Sequence, residues 1–151
     1  MLLKPPRWAA PATLGLTVLG TLIAAYLTYE HYTNSATLAC SDNGEINCLK
    51  VTTSSYSKVF GVIPVVDLGL FYFLAMAALC LPAVWRAANP MVARIRLGGC
   101  LVGLMMALYL IWAEIFGVEA ICLWCTAVHV ITFVLFIVVA LAGAFAQPEE
   151  I

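Results

Sequence analysis

Charge is what this chain has least of. Only 10% of its 151 residues are charged, seven basic against eight acidic, where an average soluble domain is about one-quarter charged. That shortage argues against a soluble globular domain, and without a basic cluster nucleic-acid binding is excluded as well. Internal repeats, low-complexity tracts and linkers are missing, as is any polar block large enough to fold separately, so one domain is expected over residues 1–151. Strand-like alternation is absent too. No convincing small-x-small cleavage site follows the first apolar run. "LTYEHYTNS" reads as the polar end of a retained span, so the segment behind Lys4 and Arg7 is expected to stay as a signal anchor.

What the chain does have is hydrocarbon. It is 64% hydrophobic, with a mean hydropathy of +1.03. A helix crossing a bilayer core needs roughly 20 apolar residues, and four segments qualify, at about 12–29, 63–84, 97–116 and 121–145. Spanning backbone must satisfy its own hydrogen bonds, so the expected fold is an all-α integral membrane protein, a bundle of four transmembrane helices. Lys4, Arg7, Arg86, Arg94 and Arg96 fall on one side of that bundle, and Lys50 and Lys58 on the other. Basic residues gather on the cytoplasmic side. Both termini are therefore expected inside, and the loop 33–60 and the short "GVEA" turn outside. "RAANPMVARIR" reads as the polar turn between spans two and three, and "AQPEEI" as a short cytoplasmic tail.

This topology sorts the six cysteines. Cys80 and Cys100 lie within spans two and three and read as small apolar packing residues. Cys40, Cys48, Cys122 and Cys125 emerge at the outer face, where disulfides persist. Within the outer loop, the apolar residues Val51, Tyr56 and Val59 suggest a short interfacial helix between Cys48 and Val59.

"CLWC" opens the fourth span. Residues three apart share a helix face, and the exposed amides and dipole of a helix N-terminus favour a thiolate. Cys40 and Cys48 form a second pair. Spacing alone leaves open a structural disulfide bracing the loop, or zinc held by all four cysteines. Two dithiol pairs on one membrane face also suggest a relay, in which a loop pair shuttles electrons from a soluble partner to a fixed membrane pair. The membrane pair then needs an acceptor dissolved in the bilayer, and a quinone of the menaquinone or ubiquinone type meets that need.

"CSDNGEINCLKVTTSSYSKVFG", followed by "IPVVDLGLFYF" and later "CLWC", resembles the vitamin K epoxide reductase family, whose bacterial members are quinone-linked generators of protein disulfides. The resemblance covers roughly Tyr26 to Val134. It implies a four-helix bundle around a quinone, capped by the loop segment, in a bacterial plasma membrane. It also implies that Cys40 meets the partner protein, Cys48 exchanges with Cys122, and Cys125 stands nearest the quinone. Ser54 matches a serine the family uses near the active site. Animal members carry an asparagine at the start of span two; the nearest position here is Val65, a departure that speaks against epoxide reduction. Some bacterial members carry a fused thioredoxin-like domain after the last span. Here the chain stops at Ile151, so the expected partner is a separate, DsbA-like thioredoxin-fold protein.

Three further polar residues invite roles. Asp67, about one turn into span two, is an intramembrane carboxylate that either lines the quinone pocket or bonds nearby backbone. His129 lies one turn below Cys125 on the same face, placed to donate to a quinone oxygen, to influence the Cys125 thiolate, or to bond a neighbouring helix. His31 reads as interfacial. Trp112 and Trp124 fit an aromatic belt, and Trp124 also stands where it can shield the thiols.

The resulting expectation is a membrane oxidoreductase carrying electrons from Cys40–Cys48 to Cys122–Cys125 and on to quinone, with the helix terminus stabilising the Cys125 thiolate. A DsbB-like oxidase has its C-x-x-C in the first outer loop rather than the second. The alternatives from other classes are a small cysteine-pair heavy-metal transport protein and a disulfide-braced scaffold.

Overall fold

Proline and asparagine decide where the helices begin and end. The computed structural model describes residues 3–33, 40 and 43–148; of the expected outer loop, 34–39 and 41–42 lie outside the described residues, as does the end of the tail at 149–151. After a two-residue strand β1 (Leu3–Lys4), helix α1 runs over Ala9–Thr33. Pro11 falls in its first turn, where backbone N–H groups have no helical acceptor to lose. The outer segment holds a short helix α2 (Cys48–Thr52), a 3₁₀ turn (Ser55–Ser57) and a small hairpin of β2 (Lys58–Val59) with β3 (Ile63–Pro64). Then come α3 (Val65–Leu79), α4 (Pro82–Arg86) and α5 (Pro90–Trp112), which continues as a π-helical turn, Ala113–Val118. Helix α6 (Leu123–Ala144) and strand β4 (Gln147–Pro148), antiparallel to β1, close the chain.

Two expected boundaries move. The third span begins at Pro90 rather than near Leu97, because the Asn89 side chain accepts the Met91 amide at 2.9 Å and Pro90 occupies the first helical position. "RAANPMVARIR" is therefore a turn only as far as Asn89. The expected second span, 63–84, is two helices. Pro82 lacks an N–H and disfavours helical backbone at the residue before it, and Leu81 adopts φ −57°, ψ 140°. Three helices are long and apolar enough to cross a membrane, Ala9–Thr33, Pro90–Val118 and Leu123–Ala144, while α3 is apolar but shorter. Their outward faces carry exposed Leu22, Val102 and Ile137, a surface suited to hydrocarbon rather than water.

The break after α3 is repaired from α5. Arg96, expected as a charge in the cytoplasmic loop, is instead only 3% exposed. Its Nε and Nη2 donate to the Leu79 carbonyl at 3.0 and 2.7 Å, and its guanidinium stacks 3.6 Å from the Trp85 ring centre. Trp85 in turn donates from Nε1 to Thr13 Oγ1 at 3.1 Å, so α1, α4 and α5 meet at the interruption.

Helix α1 packs against α3 and α6, and α5 against α6 and α3. One core layer gathers Met76, Cys100, Leu135 and Val139, and another gathers Ala24, Phe73 and Ile131. Close approach of α1 and α3 depends on Gly20, where any Cβ would collide with the Phe73 ring. Cys80 and Cys100 are fully buried.

Arg96→Ala leaves the Leu79 carbonyl without its donor, which costs about 1–3 kcal/mol. Thermal unfolding in detergent is expected to show the lowered midpoint, with Arg96→Lys recovering only part of it, because lysine lacks the planar fork and the stacking face.

Candidate functional site

The outer segment is built to sit on the end of α6. Asn47 caps α2, its side chain accepting the Lys50 amide at 2.8 Å. The expected helix between Cys48 and Val59 thus occupies its first five residues, with the 3₁₀ turn following. Tyr56 from that turn lies on Gly117 of the π turn, where a Cβ would come within 2.6 Å of the ring, and edge-on to Trp112 at 6.3 Å. The hairpin reverses at Phe60 and Gly61, both with positive φ.

A parallel backbone bridge joins Ile46 to Ile121. The Ile121 amide donates to the Glu45 carbonyl at 2.8 Å, and the Asn47 amide to the Ile121 carbonyl at 3.1 Å. Cys48 follows one side of this bridge and Cys122 the other, and both are buried, at 2% and 0% exposure. Cys48 is disulfide-bonded to the half-buried Cys40, whereas Cys122 and Cys125 are free thiols.

Beneath the outer segment lies a cavity whose wall includes Ser54, Val65, Glu114, Cys125 and His129. His31, from the end of α1, also lines it. Ser54 donates its hydroxyl to the Val51 carbonyl at 2.8 Å. Asp67 is not among the lining residues: its carboxylate accepts the Tyr32 hydroxyl at 2.5 Å, tying α3 to the end of α1. Trp124 packs on Tyr26, with ring centres 5.1 Å apart. The structure thus brings Ser54, Cys125 and His129 to one cavity and directs Asp67 elsewhere.

One residue that the sequence reading passed over joins them. Glu114, in the π turn, is 6% exposed. Its Oε2 accepts the Cys122 amide at 3.2 Å, and its Oε1 lies 4.0 Å from His129 Nδ1. The signal was present, since Glu114 is an acidic residue inside an apolar run, as Asp67 is.

Residues 11–140 match the vitamin K epoxide reductase family. The chain belongs to that family. No curated protein matches it. Vitamin K epoxide reductase family members are membrane thiol oxidoreductases that work with thiol partners and quinones, and this membership, with the cysteines described above, disfavours the heavy-metal carrier.

The two sulfurs of the C-x-x-C have different surroundings in this family member. The sulfur at the helix terminus is that of Cys122, the N-cap residue of α6, which accepts the Cys125 amide at 3.2 Å. Cys125, three residues on, lies in the first turn of α6. The Cys125 thiol, hydrogen-bonded to the Cys122 sulfur, and the backbone amide hold the Cys122 thiol below its ordinary range, against burial and the nearby Glu114 carboxylate.

The Cys122 thiolate therefore persists to lower pH than that of an unperturbed cysteine. Ultraviolet thiolate titration, taken as wild type minus Cys122→Ala, is expected to rise at lower pH than an unperturbed cysteine. Cys125→Ala removes the main donor and shifts the rise upward; an unmoved titration would show that the Cys125 thiol does not set it.

Proposed function

We propose that this protein oxidises a separate thioredoxin-fold, DsbA-like thiol protein on the outer side of a bacterial plasma membrane and reduces a quinone of the menaquinone or ubiquinone type. In this reading α3 and α4 together, Val65–Arg86, form a fourth span, and both termini face the cytoplasm, as the distribution of Lys and Arg favours. The observation that carries the proposal is the bridge between Ile46 and Ile121, which sets the loop disulfide beside the C-x-x-C while Cys125 lines the cavity.

The partner's dithiol reduces the Cys40–Cys48 disulfide, entering at Cys40, the more exposed of the two. The freed Cys48 thiolate attacks Cys122 of the oxidised Cys122–Cys125 pair, forming a mixed disulfide and releasing Cys125. Cys40 then displaces Cys122, restoring the loop disulfide and leaving a reduced pair. The bonded Cys40–Cys48 pair and the free Cys122 and Cys125 are compatible with that product state.

The cavity suits a quinone head. Val51, Val65, Val66, Leu110 and Val118 supply an apolar wall, and His129 and Ser54 supply polar groups beside Cys125. A bound quinone supplies the sink for two electrons and two protons. His129 is proposed to orient its oxygen, and Ser54, held by Val51, to shape the wall. Asp67, bonded to Tyr32, serves in this reading to fix the outer ends of α1 and α3 around the cavity. Val65 offers no polar group at the position where animal members carry asparagine, so epoxide reduction is not part of the proposed activity.

Purified protein given a reduced thioredoxin-fold substrate is expected to bleach the quinone absorbance in a thiol-dependent manner. Cys125→Ala is expected to drop to background, and Cys40→Ala, which lacks the resolving thiol, to trap the Cys48–Cys122 mixed disulfide. Quinone reduction by Cys125→Ala at the wild-type rate would sink the relay.

A further inference from the structure

Cys125 shares its cavity with two buried ionisable side chains. Glu114 reaches it from the π turn and His129 from α6, each 6% exposed, and both line the cavity with Cys125. π-Helical turns inside α-helices recur at functional sites. This one ends at Glu119 in left-handed backbone, φ 54°, and the Ala120 amide returns to the Glu114 carbonyl at 3.1 Å. The chain thereby folds back so that the Glu114 carboxylate meets the Cys122 amide on one side and faces His129 Nδ1 on the other.

Charge makes this arrangement informative. A thiolate and a carboxylate cannot both be ionised cheaply in one buried site, so a site with both needs a rule for which carries the proton. We propose that Glu114 stores one of the two protons of the reduced Cys122–Cys125 pair and hands it through His129 into the cavity as the disulfide forms. The inference rests on the quinone reading above and deepens it.

In the reduced site, Cys122 is the thiolate, Cys125 keeps its S–H, and Glu114 is the carboxylic acid. On oxidation one S–S bond forms and the Cys125 S–H breaks. Glu114 gives its proton to His129, which releases one from its far ring nitrogen. Two electrons and two protons leave together, to the quinone of the proposed function, and the site is left with a neutral disulfide, the Glu114 carboxylate and neutral His129. Reduction by the Cys40–Cys48 dithiol returns both protons. The buried site therefore carries one negative charge in both redox states, so the reaction leaves the net charge of the apolar interior unchanged. The other titratable groups on the cavity wall, His31, Tyr56 and Cys125, do not bridge the Cys122 amide and His129 in this way.

The test needs no quinone in its first arm. Infrared difference spectra of the full-length protein in detergent, reduced with dithiothreitol and oxidised with diamide, are expected to show a carboxylic-acid band lost on oxidation. The band should be absent in Glu114→Gln, shifted in Glu114→Asp and unchanged in Asp67→Asn. In the second arm, reduced protein is mixed with a short-chain ubiquinone analogue. Glu114→Gln, whose amide oxygen still accepts the Cys122 N–H, is expected to react about 100-fold more slowly, with a normal yield of trapped Cys48–Cys122 mixed disulfide and partial recovery in Glu114→Asp. A wild-type spectrum without the redox-linked band overturns the proposal, as does Glu114→Gln reacting at the wild-type rate. Loss of the mixed disulfide in both Glu114 variants also overturns it, by assigning Glu114 to structure. If the band behaves as expected but wild type reduces no quinone, proton storage stands and the quinone reading falls.

Discussion

Two backbone hydrogen bonds flanking Ile121 hold the functional half of this molecule together. The bridge to Ile46 joins an irregular outer segment to the mouth of α6, and everything chemical follows from that join: Cys48 comes beside Cys122, and the segment behind it roofs the cavity into which Cys125 opens. Bonds of this kind contribute about 0.5–1.5 kcal/mol each. Such a join fixes the register of the outer segment on the mouth of α6 at a modest energy. Tyr56 on Gly117 adds a second, apolar point of attachment, so the segment is held at both of its ends.

The deeper half is organised around the cost of polar groups in hydrocarbon. The break at Pro82 is capped by Arg96 and covered by Trp85. The Glu114 carboxylate is met by a backbone amide and faced by an imidazole. In the first case a long side chain compensates a proline break, and in the second it supplies an acceptor to the amide of the residue that caps α6. Irregular backbone at this depth is tolerated where neighbouring groups re-satisfy it.

Much of this was legible in the residues. The apolar runs announced the helices, the cysteine spacing announced two pairs, and the ordered combination of loop pair, Ser54 and C-x-x-C carried the family resemblance. What escaped notice has physical reasons. Hydropathy averages over Pro82, so one run stood in for two helices. Charge counting treats Arg96 as solvated, although its fork was needed inside. Glu114 sat near the end of an apolar run, where an acidic residue passes for an interfacial one, and only the π turn aims it at Cys122. An isolated bridge such as Ile46 with Ile121 has no periodicity to detect. The roles of the two C-x-x-C sulfurs turned on which residue caps α6, a boundary that spacing does not resolve.

The repair of α3 bears on how the chain is assembled. A helix of 15 residues is about 22 Å long, against a hydrocarbon core of about 30 Å. The Leu79 carbonyl at the end of α3 takes its donor from Arg96, 17 residues later in α5. Taken as a spanning unit with α4, it is completed by its successor and not by its own sequence. The α3–α4 break and the start of α5 therefore form one structural unit, with Arg96 as its clasp.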